Sequence, residues 1–229
     1  MKIAIFGTGM VGQNLAIALA SKGHNVTIGT RDVSKSLATA EANAFGMPAF
    51  GTWHKANPHI QVATFADAAA CSELLINATT GFVILDILHN VPTQNFDKKI
   101  MIDAANALDV SKGMPPRVSI TDTAGASIGE RLQAAFPTLR IVKALNTITA
   151  FAMLNPAAVT GGDSTLFMCG NDAAAKATVL ELLQSYGWRD VLDLGDISNS
   201  GAMELMMPIW MRVWGKLGQT TVFNYKIVR

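Results

Sequence analysis

The sequence predicts an α/β protein with a doubly wound parallel sheet and a small C-terminal α/β appendage. Three observations predict it: a buried strand at residues 3–6, a glycine-rich turn directly after it, and apolar runs of strand length that alternate with helical segments. At 229 residues, half of them apolar, the chain is long enough for one large domain, or for one of moderate size with an appendage. We expect the main domain to span residues 1–150 and the appendage residues 151–229.

The turn after the first strand carries glycines at G-x-G-x-x-G spacing, and a helix predicted over residues 10–21 follows it. In a Rossmann domain Gly7 permits the tight turn, Gly9 lets the backbone approach a pyrophosphate, and Gly12 lets helix and strand pack closely. Free N–H groups of the first helical turn then face the phosphates. We therefore predict that this turn binds a dinucleotide. The residues that we expect to contact it are Gly7, Thr8, Gly9, Met10, Val11 and Gly12. The alternative is a Rossmann scaffold that no longer binds.

The end of the second strand, predicted over residues 25–30, decides between NAD and NADP. An acidic residue there binds the ribose 2′-hydroxyl of NAD, whereas an arginine accommodates the 2′-phosphate of NADP. This chain has Thr30, Arg31 and Asp32, with Lys35 one turn further on. We expect NADP, because a hydroxyl and two cationic side chains suit phosphate oxygens. Two alternatives stay open: Asp32 reaches the ribose and weakens that preference, or the segment is a solvated turn before a helix.

The middle of the chain continues the alternation of strands and helices. We predict strands at residues 61–65, 74–78, 99–103 and 139–142, helices at residues 34–44, 67–72, 82–90 and 126–136, and irregular stretches at residues 45–58 and 113–116. Ligands of doubly wound sheets bind outside the carboxyl ends of the strands. At that edge we expect Ala78 and Thr79 to meet the second ribose of the cofactor, with Asn106 beside them.

The segment 143–150 follows the sixth strand, where the nicotinamide end of the cofactor belongs. There we expect Asn146 and Thr147 to bind the substrate; the alternative is a simple connecting loop. Further strands are predicted at residues 166–169 and 191–194, with a helix capped by Asp172 between them.

The last predicted helix, over residues 201–217, is rich in Met and Trp, is interrupted by Pro208, and is capped by residues 198–200. It is apolar nearly all round, which indicates burial on more than one side. Core packing, a dimer contact or a pocket wall would each account for it. As a pocket wall it would place Met207 against the substrate.

Composition excludes several other classes of function. The net charge of +1 and the absence of a basic stripe argue against nucleic acid. The longest uncharged stretch, residues 144–162, is broken by asparagine, threonine and proline, so we expect no membrane span. Cys71 and Cys169 are isolated, as reduced cytoplasmic thiols are. The histidines lack metal-ligand spacing, so we predict no metal site.

Several segments together resemble the NADPH:coenzyme F-420 oxidoreductases and their bacterial relatives. They are Ile5-Phe-Gly-Thr-Gly-Met-Val-Gly12, Ile28-Gly-Thr-Arg31, Val142-Lys-Ala-Leu-Asn-Thr-Ile148, Met168-Cys-Gly-Asn-Asp172, and Gly195-Asp-Ile-Ser-Asn-Ser200 followed by Glu204 and Pro208. The resemblance implies a Rossmann domain with a small C-terminal domain, a homodimer, and direct hydride transfer between NADP and a deazaflavin or flavin-like acceptor. By that analogy Thr30, Arg31 and Lys35 hold the 2′-phosphate. Ile148 and Ala150 approach the nicotinamide, and Asp32 replaces a second arginine of the family pattern.

The sequence shows no acid/base set, so we predict no catalytic side chain. Hydride transfer between two stacked rings needs orientation and exclusion of solvent rather than proton transfer by the protein. Lys143 is the one lysine near the expected site, and we expect a structural role for it. Two other hypotheses stay open: a module that binds and senses NADP without catalysis, and a reductase of a small imine or carbonyl.

Overall fold

An eight-stranded sheet lies at the centre of the structure, a computed structural model that describes residues 1–40, 48–109, 117–118, 126–219 and 222–229. Within these ranges the strands are β1 (Lys2–Phe6), β2 (Asn25–Thr30), β3 (Gln61–Thr64), β4 (Leu74–Asn77), β5 (Ile100–Asp103), β6 (Leu108–Asp109), β7 (Arg117–Val118), β8 (Arg140–Ala144), β9 (Thr165–Cys169) and β10 (Asp190–Asp193). The order in the sheet is β10-β9-β8-β5-β4-β1-β2-β3, while β6 and β7 form a separate antiparallel pair.

Six neighbouring strands of the sheet are parallel, as the predicted fold class requires. They are β3, β2, β1, β4, β5 and β8. The chain reverses its winding direction at β1, so the carboxyl ends of β1 and β4 flank the crevice in which doubly wound sheets bind ligands. The sequence-based prediction of a Rossmann-like α/β fold is confirmed.

Helices cover both faces of the sheet. They are α1 (Met10–Ser21), α2 (Val33–Leu37), α3 (Phe50–Ala56), α4 (Phe65–Ala70), α5 (Ile84–His89), α6 (Ile128–Ala135), α7 (Ala173–Ser185), α8 (Ser200–Leu205) and α9 (Met207–Lys216). Alternate residues of β1 serve the two faces. Ile3 and Ile5 pack in one core with Leu15, whereas Ala4 and Phe6 pack in the other. Burial of both faces explains why residues 3–6 of β1 are all apolar rather than alternating.

Two predictions on the N-terminal half need correction. The stretch 45–58 is not irregular where the structure describes it, because residues 50–56 form α3. Gly51 looks like a helix breaker in the sequence, but a Cβ there would overlap the carbonyl oxygen of Leu37, so the glycine lets α3 pack against the end of α2. The helix expected over residues 34–44 ends at Leu37. Residues 41–47 and the predicted loop at 113–116 lie outside the described ranges.

The prediction of one long helix over residues 201–217 is also wrong, because this segment forms two helices. Pro208, which has no N–H to donate, lies in the first turn of α9. The helical conformation is interrupted at Met206, between α8 and α9. The N-cap position of α8 is Asn199, within the predicted residues 198–200, but its side chain makes no capping hydrogen bond; Asp196 caps the preceding 3₁₀ turn, where its carboxylate accepts the N–H of Ser198. Burial is one-sided, since Met207 and Trp210 are buried while Ile209 is 54% exposed.

The other predicted helices and strands agree with the structure to within two residues at either end. β9 and β10 belong to the same sheet as the N-terminal strands, although β9 runs antiparallel to β8. The C-terminal segment returns to this edge, where the carbonyl of Tyr225 accepts the N–H of Thr165. The domain boundary at residue 150 stays a prediction.

Candidate functional site

The glycine turn after β1 has the geometry that a close backbone approach requires. Gly7 has a φ of 126°, and a Cβ there would lie 2.5 Å from the carbonyl oxygen of Ala78. A Cβ on Gly12 would overlap the carbonyl oxygen of Gly7, so glycine is what lets α1 start this close to β1. A Cβ on Gly9 would meet nothing within 4 Å. The structure thus brings Gly7, Gly12 and Ala78 together and leaves open space beside Gly9.

The N-terminus of α1 begins at this open space. Gly9 occupies the cap position, and no side chain of the described residues caps the helix, so the N–H groups of its first turn are available to a ligand. The partial positive charge of a helix N-terminus favours phosphate. Met10 and Val11, both half-buried, form this first turn, and Thr8 precedes it. Below them the buried Gln13 donates its Nε2 hydrogen to the carbonyl of Thr8 at 2.9 Å.

The predicted phosphate end lies at the carboxyl end of β2. Thr30 is buried and its Oγ1 lies 2.7 Å from Oγ of Ser36, whereas Arg31 and Lys35 are exposed. Asp32 caps α2, because its Oδ1 accepts the backbone N–H of Lys35 at 2.9 Å. The carboxylate of Asp32 is therefore engaged by its own helix, and whether Arg31 or Asp32 meets the ribose end of a cofactor stays a prediction.

A cleft of about 550 Å³ adjoins Arg31 at this end of the sheet. Its lining includes Thr30, Phe65 and Val83, and it carries one acidic side chain, Asp86. Apolar surface predominates in the cleft, although half of its ten lining residues are polar or charged, and this combination suits a flat heterocycle such as a nucleotide base. Sequence reasoning did not single out Asp86 or this cleft, because the lining comes from strand ends and from α5, which are distant in the chain.

The ends of β4, β5 and β8 form the opposite half of the edge. Ala78 donates its N–H to the carbonyl of Phe6 at 2.9 Å. Thr79 donates both its N–H and its hydroxyl to Oδ1 of Asn77, at 3.1 and 2.7 Å. These contacts hold Ala78 and Thr79 at the carboxyl end of β4, and their contact with a ribose stays a prediction.

Asn106 and Asn146 are interlocked, although they are 40 residues apart in the chain. Nδ2 of Asn106 donates to the carbonyl of Asn146 at 2.6 Å, and Nδ2 of Asn146 donates to Oδ1 of Asn106 at 3.0 Å. A second hydrogen bond from Nδ2 of Asn146 reaches the carbonyl of Met203 at 3.1 Å. Both amide hydrogens of Asn146 are thus used, while its buried Oδ1 has no partner among the described residues.

The remaining predicted residues of this rim are buried. Thr147, Ile148 and Ala150 are each at most 6% exposed. Oγ1 of Thr149, which lies between them in the chain, is a second buried oxygen without a partner in the described part of the protein. Met207 lies one helical turn beyond Met203 and packs with Trp210 and Met211 in a separate apolar cluster. Whether these residues contact a ligand stays a prediction.

A cluster of charged side chains lies beneath this rim. Asp103 ends β5, Lys143 lies near the end of β8, and Glu204 projects from α8; all three side chains are 0% exposed. Nζ of Lys143 lies 2.9 Å from Oδ2 of Asp103 and 2.9 Å from Oε1 of Glu204. It also donates to the carbonyl of Ala105 at 2.6 Å. The three hydrogens of the ammonium thus have three acceptors.

Electrostatics keeps this ammonium charged. Burial alone lowers the pKa of Lys143, but the carboxylates of Asp103 and Glu204 outweigh burial and raise that pKa above its ordinary value. Burial raises the pKa of the Glu204 carboxyl, although Lys143 opposes the change. A lysine whose pKa is raised and whose three hydrogens are all donated stays protonated at neutral pH, which agrees with the predicted structural role of Lys143.

Glu204 also explains why the C-terminal motif is distinctive. Its carboxylate accepts the N–H groups of Ile128 and Gly129, at 3.2 and 3.4 Å, in the first turn of α6. Oγ of Ser200 lies 2.6 Å from Oγ of Ser127, which caps that helix. A Cβ on Gly129 would lie 2.7 Å from Oγ of Ser200, so α6 and α8 approach each other as closely as a glycine permits.

Sequence reasoning missed Gln13, Asp103 and Glu204 as parts of this site. Asp103 and Lys143 gave a signal, since a charged residue at the end of an otherwise buried parallel strand must find a partner. Glu204 gave none of its own, because its partner is 61 residues away. Among the described residues no group of three or more His, Cys, Asp and Glu side chains could hold a metal ion.

Comparisons with known proteins agree with this geometry. A family model described as NADP oxidoreductase, coenzyme F420-dependent, matches residues 2–107. A crystal structure of a candidate F420-dependent NADP-reductase from Arthrobacter sp. FB24 is 48% identical, covers 100% of both chains and superposes with a TM-score of 0.92. The chain belongs to this family. It is therefore an NADP-dependent oxidoreductase with an NADP(H)-binding Rossmann-like fold.

Two curated relatives are more distant. The F420-dependent NADP reductase of Methanothermobacter marburgensis is 27% identical over 212 residues, which is 91% of this chain and 90% of that protein. The metalloreductase STEAP3 of Rattus norvegicus is 25% identical over 213 residues, but this chain spans only 38% of its length. In the described ranges every helix of this chain is too short or too polar to cross a membrane.

Proposed function

We propose that this chain transfers hydride between NADP(H) and a deazaflavin or flavin-like acceptor. The observation that carries the proposal is the division of one sheet edge into an exposed cationic end, at Arg31, and a buried amide end, at Asn106 and Asn146. The name of the Methanothermobacter relative, which the chain matches over nine tenths of both lengths, supports the deazaflavin.

The residues present fit a dinucleotide. The open space beside Gly9 and the uncapped start of α1 suit a pyrophosphate, and the cleft beside Arg31 suits the adenine. Thr30, Arg31 and Lys35 would hold the 2′-phosphate, and Asn106, Ala78 and Thr79 would contact the second ribose. The orphaned oxygens of Asn146 and Thr149 mark the end where Ile148 and Ala150 would approach the nicotinamide.

The bound cofactor supplies the hydride, so this chain needs to orient two rings and exclude water. Ile148 and Ala150 offer apolar surface for that purpose, and Asn146, Thr147 and Met207 would border the acceptor. Lys143 and Glu204 are 0% exposed and saturated with hydrogen bonds, so neither side chain can reach a substrate. Orientation by a rigid rim is the contribution that these residues can make.

Steady-state oxidation of NADPH tests the proposal. We expect turnover with a deazaflavin, FMN or FAD as acceptor and little with NADH as donor. Turnover of cyclic imines but none of these acceptors would favour a reductase of small imines. Tight NADPH binding without turnover of any acceptor would favour a module that senses NADP.

We further propose a cytoplasmic homodimer. Leu205, Ile209 and Leu217 are 55%, 54% and 43% exposed. The spacing of eight residues from Ile209 to Leu217, with the half-buried Val213 between, places these two on one side of α9, and Leu205 ends α8. Cys71 and Cys169 are free thiols, which suits a reducing compartment. Sedimentation equilibrium should give twice the chain mass for the wild type and the single chain mass for Ile209→Glu.

A further inference from the structure

The ammonium of Lys143 is the centre of a hydrogen-bond network that extends to three segments of the cofactor edge. Its direct acceptors are Asp103, Glu204 and the carbonyl of Ala105, at 2.6 to 2.9 Å. Asp103 lies at the end of β5, Ala105 belongs to the rim that follows it, and Glu204 projects from α8.

The β4 segment is reached through Asp103. Oδ1 of Asp103 accepts Nδ2 of Asn77 at 2.8 Å, and Oδ1 of Asn77 in turn accepts the N–H and the hydroxyl of Thr79. All of Asn77 and Asp103 is buried. A change in the position of the Asp103 carboxylate therefore changes the position of Thr79.

The β5 and β8 segments are reached through Ala105. Its carbonyl accepts from Lys143, its N–H donates to Oδ1 of Asp103 at 3.2 Å, and the next residue, Asn106, is interlocked with Asn146. Both amide hydrogens of Asn146 are committed, so its unpartnered Oδ1 has a fixed direction.

Backbone strain lies at the same place. Leu145, between Lys143 and Asn146, has a φ of 69°, a left-handed conformation that a leucine rarely adopts. Such strain persists where surrounding contacts over-determine the conformation, and it concentrates at ligand-binding sites. The contacts of Lys143 on one side and of Asn146 on the other hold Leu145 there.

Stability alone is a weak explanation of this cluster. Burying charges costs so much desolvation that well-packed apolar residues of similar volume are often as stabilising as a buried ion pair. Three charged side chains at 0% exposure thus call for another contribution, and the contribution that the contacts show is fixed geometry at the rim.

We propose that Lys143 and Glu204 are positioning residues, which fix Asn146 and the neighbouring rim so that the two rings meet in a geometry competent for hydride transfer. This inference rests on the proposed function and deepens it. It assigns to the C-terminal motif, through Glu204, a part in the nicotinamide end of the site. The adenosine end, at Arg31, shares none of these contacts in the described residues.

The test compares Glu204→Gln with the wild type, since Gln keeps an oxygen for Lys143 and removes the charge. Three quantities are measured: the Kd of NADPH, the Kd of 2′,5′-ADP, which occupies the adenosine end alone, and kcat and KM for the acceptor. Lys143→Met is the stronger variant, but it leaves two buried carboxylates unpaired and can fail to fold. Asp172→Ala, which removes the cap of α7 remote from the rim, is the control for lost stability.

We expect Glu204→Gln to lower kcat by about 10- to 100-fold, because about an ångström of misplacement can cost a hundredfold. The Kd of 2′,5′-ADP should change by less than about twofold, as expected for a distant site, while that of NADPH rises more. Asp172→Ala should leave kcat unchanged. An unchanged kcat in Glu204→Gln overturns the inference, and so does an equal loss in 2′,5′-ADP binding. A wild type that oxidises no NADPH with any acceptor contradicts the proposed function itself.

Discussion

The two ends of the sheet edge use charge in opposite ways. At the end of β2, Arg31 and Lys35 are exposed, and the carboxylate next to Arg31 in the chain, that of Asp32, caps a short helix. At the ends of β5 and β8, Asp103 and Lys143 are fully buried and are joined by Glu204. An exposed cation attracts a phosphate at a small cost in desolvation, whereas a buried cluster is costly and rigid. The comparison suggests that one end supplies affinity and the other supplies geometry.

The largest effect should come from breaking the buried end. Lys143→Met leaves Asp103 and Glu204 buried without their cation, so we expect a loss of about 3–5 kcal/mol in the free energy of unfolding. Urea unfolding measures it. Lys226→Met is the matched control, because Lys226 pairs with Asp163 and Asp190 at the surface and should cost at most about 1 kcal/mol. Similar losses in the two variants would contradict the distinction between buried and exposed charge.

Breaking the exposed end should change binding rather than folding. Arg31→Ala removes a charge-assisted hydrogen bond of about 1.5–3 kcal/mol, so the Kd of NADPH should rise about 10- to 100-fold. Calorimetry should show the Kd of NADH almost unchanged and the difference shrinking at high salt. Lys22→Ala, which removes the same charge at the far end of α1, should leave both constants unchanged. Equal effects on NADPH and NADH would remove Arg31 from the phosphate site.

Alkaline pH should destabilise the fold at the buried end, through the thiol of Cys169. Cys169 pairs with Lys143 across β8 and β9, and burial raises the pKa of its thiol to about 12. The folded protein keeps this proton where the unfolded chain, with a thiol pKa near 8.5 to 9, has lost it. The contribution of this group to stability therefore falls as pH rises, by about 1.5 kcal/mol between pH 8 and pH 10. Urea unfolding of Cys169→Ala should show a correspondingly flatter pH dependence; an unchanged slope would rule out this thiol as the cause.

The smallest effect should come from Asp32→Asn. Asparagine keeps the cap of α2 but removes a negative charge beside the predicted phosphate, so the affinity for NADPH should rise by at most about fivefold. The thermal midpoint should stay unchanged. Weaker binding of NADH in this variant would show that Asp32, rather than Arg31, meets the ribose.

The exposed end could be predicted from the sequence, and the buried end could not. The glycine turn, the end of β2 and its Thr30-Arg31 pair lie within short spacings whose geometry is fixed by one βαβ unit. The contact of Lys143 with Glu204 depends instead on the packing of α8 against α6, through Gly129 and Ser200. Local patterns carry no information about such a distant pairing.

The same reason explains the missed helix α3. Gly51 has the propensity of a breaker, but its position is decided by the approach of α3 to Leu37, which is a tertiary contact. Pro208 shows the reverse case. Its effect on the backbone is local, so the sequence predicted an interruption within two residues of Met206, where the structure has the junction of two helices.

The pairing between β8 and β9 has a consequence for the shape of the crevice. Only Lys143 and Ala144 pair with β9, opposite Cys169 and Met168, so residues 165–167 continue past the end of β8 by about 10 Å at 3.3 Å per residue. β10 runs parallel to β9 and begins at the same level, because Asp190 pairs with Thr165. At this edge the sheet therefore extends further at β9 and β10 than at β8, and it has no such extension at β3. The proposed nicotinamide end, at the end of β8, therefore lies beside this extension of the sheet, whereas the proposed adenosine end, at the end of β2, does not.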